Sequence, residues 1–211
     1  MLSHESRPVP VEFWFEFGSN YSYLAVARIE SLAARAGVPL VWRPFLLGPL
    51  FKDFGWSTSP FVLHKEKGAY VWQDMVRQCR KYELPWRMPT VFPRVALLPM
   101  RVATVGVDQP WMGRFCREMM RRNFATDEDI QSEAVVRDAL GCLDLPVDTL
   151  LARAQTDEVK ATLRARTEEA RARGIFGAPT FFVGDEMFWG NDRLDDAIAQ
   201  ARETESRPDV P

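Results

Sequence analysis

Sulfur and imidazole are scarce in this chain. Its 211 residues hold three cysteines, Cys79, Cys116 and Cys142, and two histidines, His4 and His64. The cysteine count is odd, the spacings are wide and no Cys-x-x-Cys pair occurs. That argues against a disulfide framework, a dithiol redox centre and a zinc site, and it fits a reducing cytoplasm. Each cysteine is expected to pack as a small hydrophobe: Cys79 shares a helical face with Met75 and Tyr82, and Cys116 sits among Phe115, Met119 and Met120. His4 and His64 have no partner nearby in the sequence and are expected to be solvated. No apolar run approaches the roughly 20 residues that span a bilayer, so no membrane segment is expected. The start, MLSHESRPVP, lacks the apolar stretch of a secretory signal, and the end, ETESRPDVP, reads as a frayed tail. No charge of one sign dominates either. The formal net charge is -2, from 27 Lys+Arg against 29 Asp+Glu. Nothing therefore draws the whole chain to nucleic acid, and any anion must be held by a local site.

What the chain does have is apolar residues, at 46%, enough for one large domain or one domain carrying a sizeable insertion. Val11 to Phe17 (VEFWFEF) alternates. Val11, Phe13, Phe15 and Phe17 fall on one face, and Glu12, Trp14 and Glu16 on the other, which predicts a strand. A helix follows over 24–36, with Ser19 or Asn20 as its cap and Gly37 as its stop. LVWRPF (40–45) predicts a second strand, parallel to the first across the helical connection.

From about Gly55 to Gly174 strand signals vanish. Ser59-Pro60 starts a helix expected to reach about Tyr82. Weak helical character runs over 96–107, and a further helix is expected from Pro110 through Arg122. Thr126 with Asp129 resembles a capping box for a helix to about Cys142. Thr156 opens a charged, solvated helix that Gly174 ends. Strands then return: APTFFVGDEMFWG (178–190) is two short apolar runs around Gly184-Asp185, a hairpin signal. Asn191 can cap a last helix, 192–202. The plan is β-α-β, a helical insert, then β-β-α. It predicts an α/β fold with 1–55 and 175–211 as one domain and 56–174 inserted into it.

FGSNYSYL (17–24) puts two hydroxyls, Ser19 and Ser22, where a core strand turns into a helix. This stretch resembles the F-x-S-P-x-S-Y motif of 2-hydroxychromene-2-carboxylate isomerases. Those are relatives of kappa-class glutathione transferases in the DsbA-like branch of the thioredoxin fold. RPFLLGPLFKDFGW (43–56), TSPF (58–61), KGAYVWQDM (67–75) and GIFGAPTFFVGDEMFWGNDRLDD (174–196) extend the resemblance over nearly the whole chain. It implies a thioredoxin-like domain, glutathione as cofactor, a homodimer and a small aromatic carboxylate as substrate. It also implies isomerisation between 2-hydroxychromene-2-carboxylate and trans-o-hydroxybenzylidenepyruvate by reversible thiolate addition. Ser19 then lies beside the glutathione thiol. The Ala178-Pro179 bond is cis and faces it, with the Ala178 backbone pairing to glutathione. Asn191 and Asp192 hold the γ-glutamyl end.

For the substrate, Lys52, Arg94 and Arg101 are candidate cations, and Trp56, Trp86 and Phe92 candidate aromatic walls. Asn20 departs from the family's proline, and Trp56 and Val95 also depart from the usual pattern, which touches substrate choice more than fold. Two other functions stay open. A kappa-type transferase or peroxidase would share the thiolate site. A thioredoxin-like binding module would use the serines only as caps.

Overall fold

The computed structural model describes residues 8–204. Its framework is one four-stranded mixed sheet in the order β2-β1-β3-β4. The strands are β1 (Val11–Phe15), β2 (Leu40–Pro44), β3 (Thr180–Val183) and β4 (Glu186–Trp189). β1 pairs parallel with β2, Val11 opposite Leu40, and antiparallel with β3, Trp14 opposite Thr180. β3 and β4 form the expected hairpin, turning at Gly184-Asp185. The expected strand to Phe17 stops two residues early, because the Ser19 N–H turns back to the Glu16 carbonyl at 3.1 Å.

Helix α1 (Asn20–Ala36) starts and ends as its sequence dictates. The Ser19 side chain accepts from the Ser22 N–H, and Gly37 adopts the left-handed conformation, φ 69°, that lets its N–H return to the last turn. Both faces of β1 are covered. Phe13 and Phe15 stack with centroids 5.2 Å apart and join the main core. Trp14, on the face opposite Phe13 and Phe15 as expected, is fully buried with Phe45 and Phe182 in a second, smaller core.

Between β2 and β3 lies a large helical insertion: α2 (Leu47–Asp53), α3 (Pro60–Leu63), α4 (Lys65–Lys81), α5 (Leu97–Gly106), α6 (Met112–Phe124), α7 (Glu133–Gly141), α8 (Val147–Ala154) and α9 (Asp157–Ala172). The chain closes with a single 3-10 turn, Asn191–Arg193, and α10 (Leu194–Thr204). Helices α1, α5, α6 and α10 share one continuous core with the sheet. No helix among the described residues is long and apolar enough to cross a membrane.

Several expected elements differ. The single helix from Ser59 breaks at His64, whose backbone is extended, so α3 folds back against α4. A Cβ at Gly68 would stand 2.1 Å from the Phe61 carbonyl oxygen, so this crossing requires glycine. Thr126 does not cap a helix. Its hydroxyl bonds Glu128 at 2.6 Å, Asp129 accepts from the Gln131 N–H, and α7 begins only at Glu133. Asn191 spends its side-chain oxygen on Arg28 rather than on a cap. Helices α2 and α8 carry no strong sequence signal: Gly48 and Pro49 in α2 read as loop, yet a proline in a first turn removes no needed donor. Cys79 and Cys116 are buried as expected, whereas Cys142 is exposed, its sulfur 3.7 Å from Arg122 Nη2. His64 is exposed as expected. His4 and both chain ends lie outside the described residues.

Candidate active site

The turn from β1 into α1 and the loop entering β3 meet at one point. The Ser19 hydroxyl donates to the Ala178 carbonyl at 2.8 Å, while its oxygen accepts from the Ser22 N–H at 3.2 Å. The Ala178-Pro179 bond is cis. Among the described residues nothing accepts from the Ala178 N–H. Ser19 thus holds two distant segments together at the N-terminus of a 17-residue helix. First-turn N–H groups there lack intrahelical partners, and the helix dipole adds about half a positive charge. Asn20 is 1% exposed, and among the described residues its Nδ2 has no hydrogen-bond partner. An orphaned buried donor is costly, on the order of 1–3 kcal/mol, unless something comes to use it.

Ser19, Asn20 and Ala178 open onto a cavity of about 870 Å³. Of the residues proposed from sequence, Lys52, Trp56, Phe92 and Arg94 line it as well. Arg94 reaches it without its charge. The guanidinium donates to Asn123 Oδ1 at 2.8 Å and ion-pairs with Asp127, whose carboxyl it holds down to about 2. What Arg94 offers the cavity is backbone: a Cβ at Gly18 would stand 2.8 Å from its carbonyl oxygen, so Gly18 lets this loop close on the serine turn. Trp86 is not on the cavity wall; it stacks with Trp72 and Phe124 at 6.1 Å. Arg101 lies elsewhere too, bonded to Gln155.

The cavity brings in residues the sequence did not single out. Lys67 lies over the Phe61 ring at 5.7 Å, and among the described residues neither Lys52 nor Lys67 has a carboxylate partner. Tyr21, Phe176 and Trp189 add aromatic surface; Phe176 and Trp189 pack at 4.8 Å. The Tyr21 hydroxyl donates to Asp74 at 2.8 Å, and burial together with that carboxylate pushes its ionisation well up. Glu16 is on the wall as well, and desolvation pushes its carboxyl up to about 8. The signal for these residues lay in the three-dimensional closure of α2, α3 and α4 around the turn.

Asn191 and Asp192 directly follow Gly190, which lines the cavity. Asn191 is buried and accepts from Arg28 Nη1 at 3.1 Å, and Arg28 also ion-pairs with Asp195 at 2.6 Å. Asp192 is exposed, paired with Arg193 at 3.2 Å, and its charge reaches the Tyr21 phenol.

A thioredoxin-type sheet with hydroxyls at its strand-to-helix turn, facing a cis-proline loop, defines a class: thioredoxin-fold domains without a dithiol. Residues 10–200 match the DSBA-like thioredoxin domain, and the chain belongs to that family. Within it, the chain is 30% identical over 189 residues to the 2-hydroxychromene-2-carboxylate isomerase of Sphingobium xenophagum, covering 88% of this chain and 94% of that one. Glutathione S-transferase kappa 1 of Rattus norvegicus is 28% identical over 202 residues, covering 89% and 88%. A solved 2-hydroxychromene-2-carboxylate isomerase shares the fold, with a TM-score of 0.82 at 22% identity over 93% of this chain and 97% of that one. The likeness first read from FGSNYSYL and its companion stretches therefore extends across the chain.

Proposed function

We propose that the protein is a glutathione-dependent isomerase interconverting 2-hydroxychromene-2-carboxylate and trans-o-hydroxybenzylidenepyruvate, or a closely related unsaturated aromatic keto acid. The observation that carries this reading is Ser19, a helix-capping hydroxyl 2.8 Å from the Ala178 carbonyl on an aromatic cavity with two lysines that have no carboxylate partner among the described residues. The isomerase relative supports the same reaction class.

The donor set fits a peptide thiol. The Ala178 N–H and its carbonyl present a strand edge to an extended backbone. The α1 N-terminus favours an anion, and next to Ser19 the Asn20 Nδ2 has no partner among the described residues. Asp192 would meet an ammonium group. Glutathione held there would supply a thiolate for reversible addition to the unsaturated carbon, which would let the double bond rotate without consuming the cofactor.

The chain's own residues make that chemistry accessible. With glutathione bound, the Ser19 hydroxyl would turn its one proton from the Ala178 carbonyl to the sulfur, and the helix dipole would favour the thiolate. A free thiol ionises near 8.5, and each unit of lowering is worth about 1.4 kcal/mol. Lys52 and Lys67 supply positive charge for the substrate carboxylate. Trp56, Phe61, Phe92 and Trp189 flank the aromatic ring and displace water. An incubation with the chromene carboxylate and sub-stoichiometric glutathione tests the reading. Many turnovers with glutathione recovered intact are expected. Stoichiometric loss of glutathione to a conjugate would contradict it and indicate a kappa-type transferase.

A further inference from the structure

Glu16 is the one acidic side chain on the cavity wall among the described residues. It sits three residues before Ser19, and the Ser19 N–H donates to its backbone carbonyl at 3.1 Å, so both side chains belong to one tight turn. Its Oε2 lies 3.7 Å from the point where a Cβ on Gly18 would stand, and the Leu47 N–H donates to the carboxyl. The charged groups around this cavity are Lys52 of α2, Lys67 of α4 and Arg94 of the loop before α5. Among the described residues none of them ion-pairs with Glu16, and the Arg94 guanidinium is turned to Asp127. Glu16 is half-buried on the wall, and desolvation with no cation against it pushes its carboxyl up to about 8, which favours the protonated form. Neither the fold nor the thiol site described above requires an acid here: the Leu47 N–H could be accepted equally by a neutral amide.

An unsaturated α-keto acid gives an acid in this place something to do. When a nucleophile's electron pair enters the far end of the conjugated C=C bond, the π electrons move toward the keto oxygen. A carboxylate beside that oxygen would repel the charge, whereas a neutral carboxylic acid in apolar surroundings stabilises it. We propose that Glu16 is a catalytic acid of the isomerisation, its O–H hydrogen-bonding the substrate's keto oxygen as charge gathers there. The proton is shared with that oxygen while the C=C is a single bond, and it stays with Glu16 when the carbonyl re-forms. No proton and no electron is gained or lost over the cycle, as an isomerisation requires. This role rests on the isomerase reading.

The test compares wild type with Glu16→Gln, which keeps shape and a donor but cannot titrate, and Glu16→Ala, which removes the donor. Without any ligand, infrared difference spectra should show a protonated carboxyl that titrates near pH 8 in wild type and is missing in both variants. Glutathione affinity, measured by calorimetry, should be close to wild type in both variants, which also shows that they fold. In turnover, kcat should fall above about pH 8 in wild type and lose that limb in Glu16→Gln. Glu16→Ala should lower kcat by roughly 10²-fold, the usual effect of removing an oxyanion donor. A wild-type kcat and pH profile in Glu16→Ala, or a Glu16 carboxyl that titrates near 4.5, would overturn the role while leaving the isomerase reading intact. A wild-type protein that isomerises no unsaturated keto acid would overturn both.

Discussion

Ser19 does structural and chemical work with one oxygen. It caps α1 through Ser22 and ties the Ala178 loop, so Ser19→Ala should cost on the order of 1–2 kcal/mol in denaturant unfolding. On the proposed function, the same change should raise the pKa of bound thiol by about one unit and slow turnover about tenfold at neutral pH. Turnover at the wild-type rate would remove Ser19 from the chemistry. Asp192→Ala should weaken glutathione binding several-fold with little change in stability, because its carboxylate is exposed and its pair with Arg193 is worth little; unchanged affinity in calorimetry would return Asp192 to the surface. Glu16 has a signature in stability as well. Its folded-state ionisation, about 8, lies above the ordinary 4.5, so between those values the folded state binds more protons than the unfolded one. Wild-type stability should therefore decline as pH rises through that window, and Glu16→Gln should flatten the decline. An unchanged slope would show that Glu16 titrates normally.

At this scale the sequence was uneven evidence. Ser19 and Ala178 could be read from motifs, since a hydroxyl at a helix start and an x-Pro before a strand each carry a local signature. Glu16 could not, because alternation set it with Glu12 and Trp14 opposite Phe13 and Phe15 and carries no sign of a cavity there. Arg94 was legible as a charge and not as a charge already used by Asp127. Trp86 had the right composition for a wall and the wrong neighbours.

At the scale of elements, the cavity depends on a break that the sequence hid. The helical pattern runs on through His64, and only the packing of α3 on α4 separates the two. That packing seats Phe61 and Lys67 on the cavity wall, and it relies on Gly68, where a Cβ would meet the Phe61 carbonyl oxygen at 2.1 Å. Gly68→Ala should therefore destabilise the fold by about 1–3 kcal/mol, against the usual gain for alanine in a helix. If Gly68→Ala raised the denaturation midpoint, the close crossing would not exist as described. The sheet elements were more readable. β1, β2 and the β3–β4 hairpin carry period-two or short apolar runs bounded by turn residues. α2 and α8 were missed because their cores are completed by α9 and α5, which lie far away in sequence.

Over the whole molecule, the order of elements was legible and so was the absence of a dithiol. Three scattered cysteines, two of them buried, leave the thioredoxin turn without sulfur of its own. On the proposed function, the hydroxyls at that turn hold a thiol brought by something else, and Lys52, Lys67 and the α1 N-terminus are the places for an anion. That is the central claim, and it can be measured without knowing the substrate. Glutathione and S-methylglutathione would be titrated calorimetrically at several pH values, in buffers of different ionisation enthalpy. Micromolar to low-millimolar binding, with protons released by glutathione alone and less so in Ser19→Ala, is the expected result. Equal proton release by both ligands, or no binding of either, would contradict it.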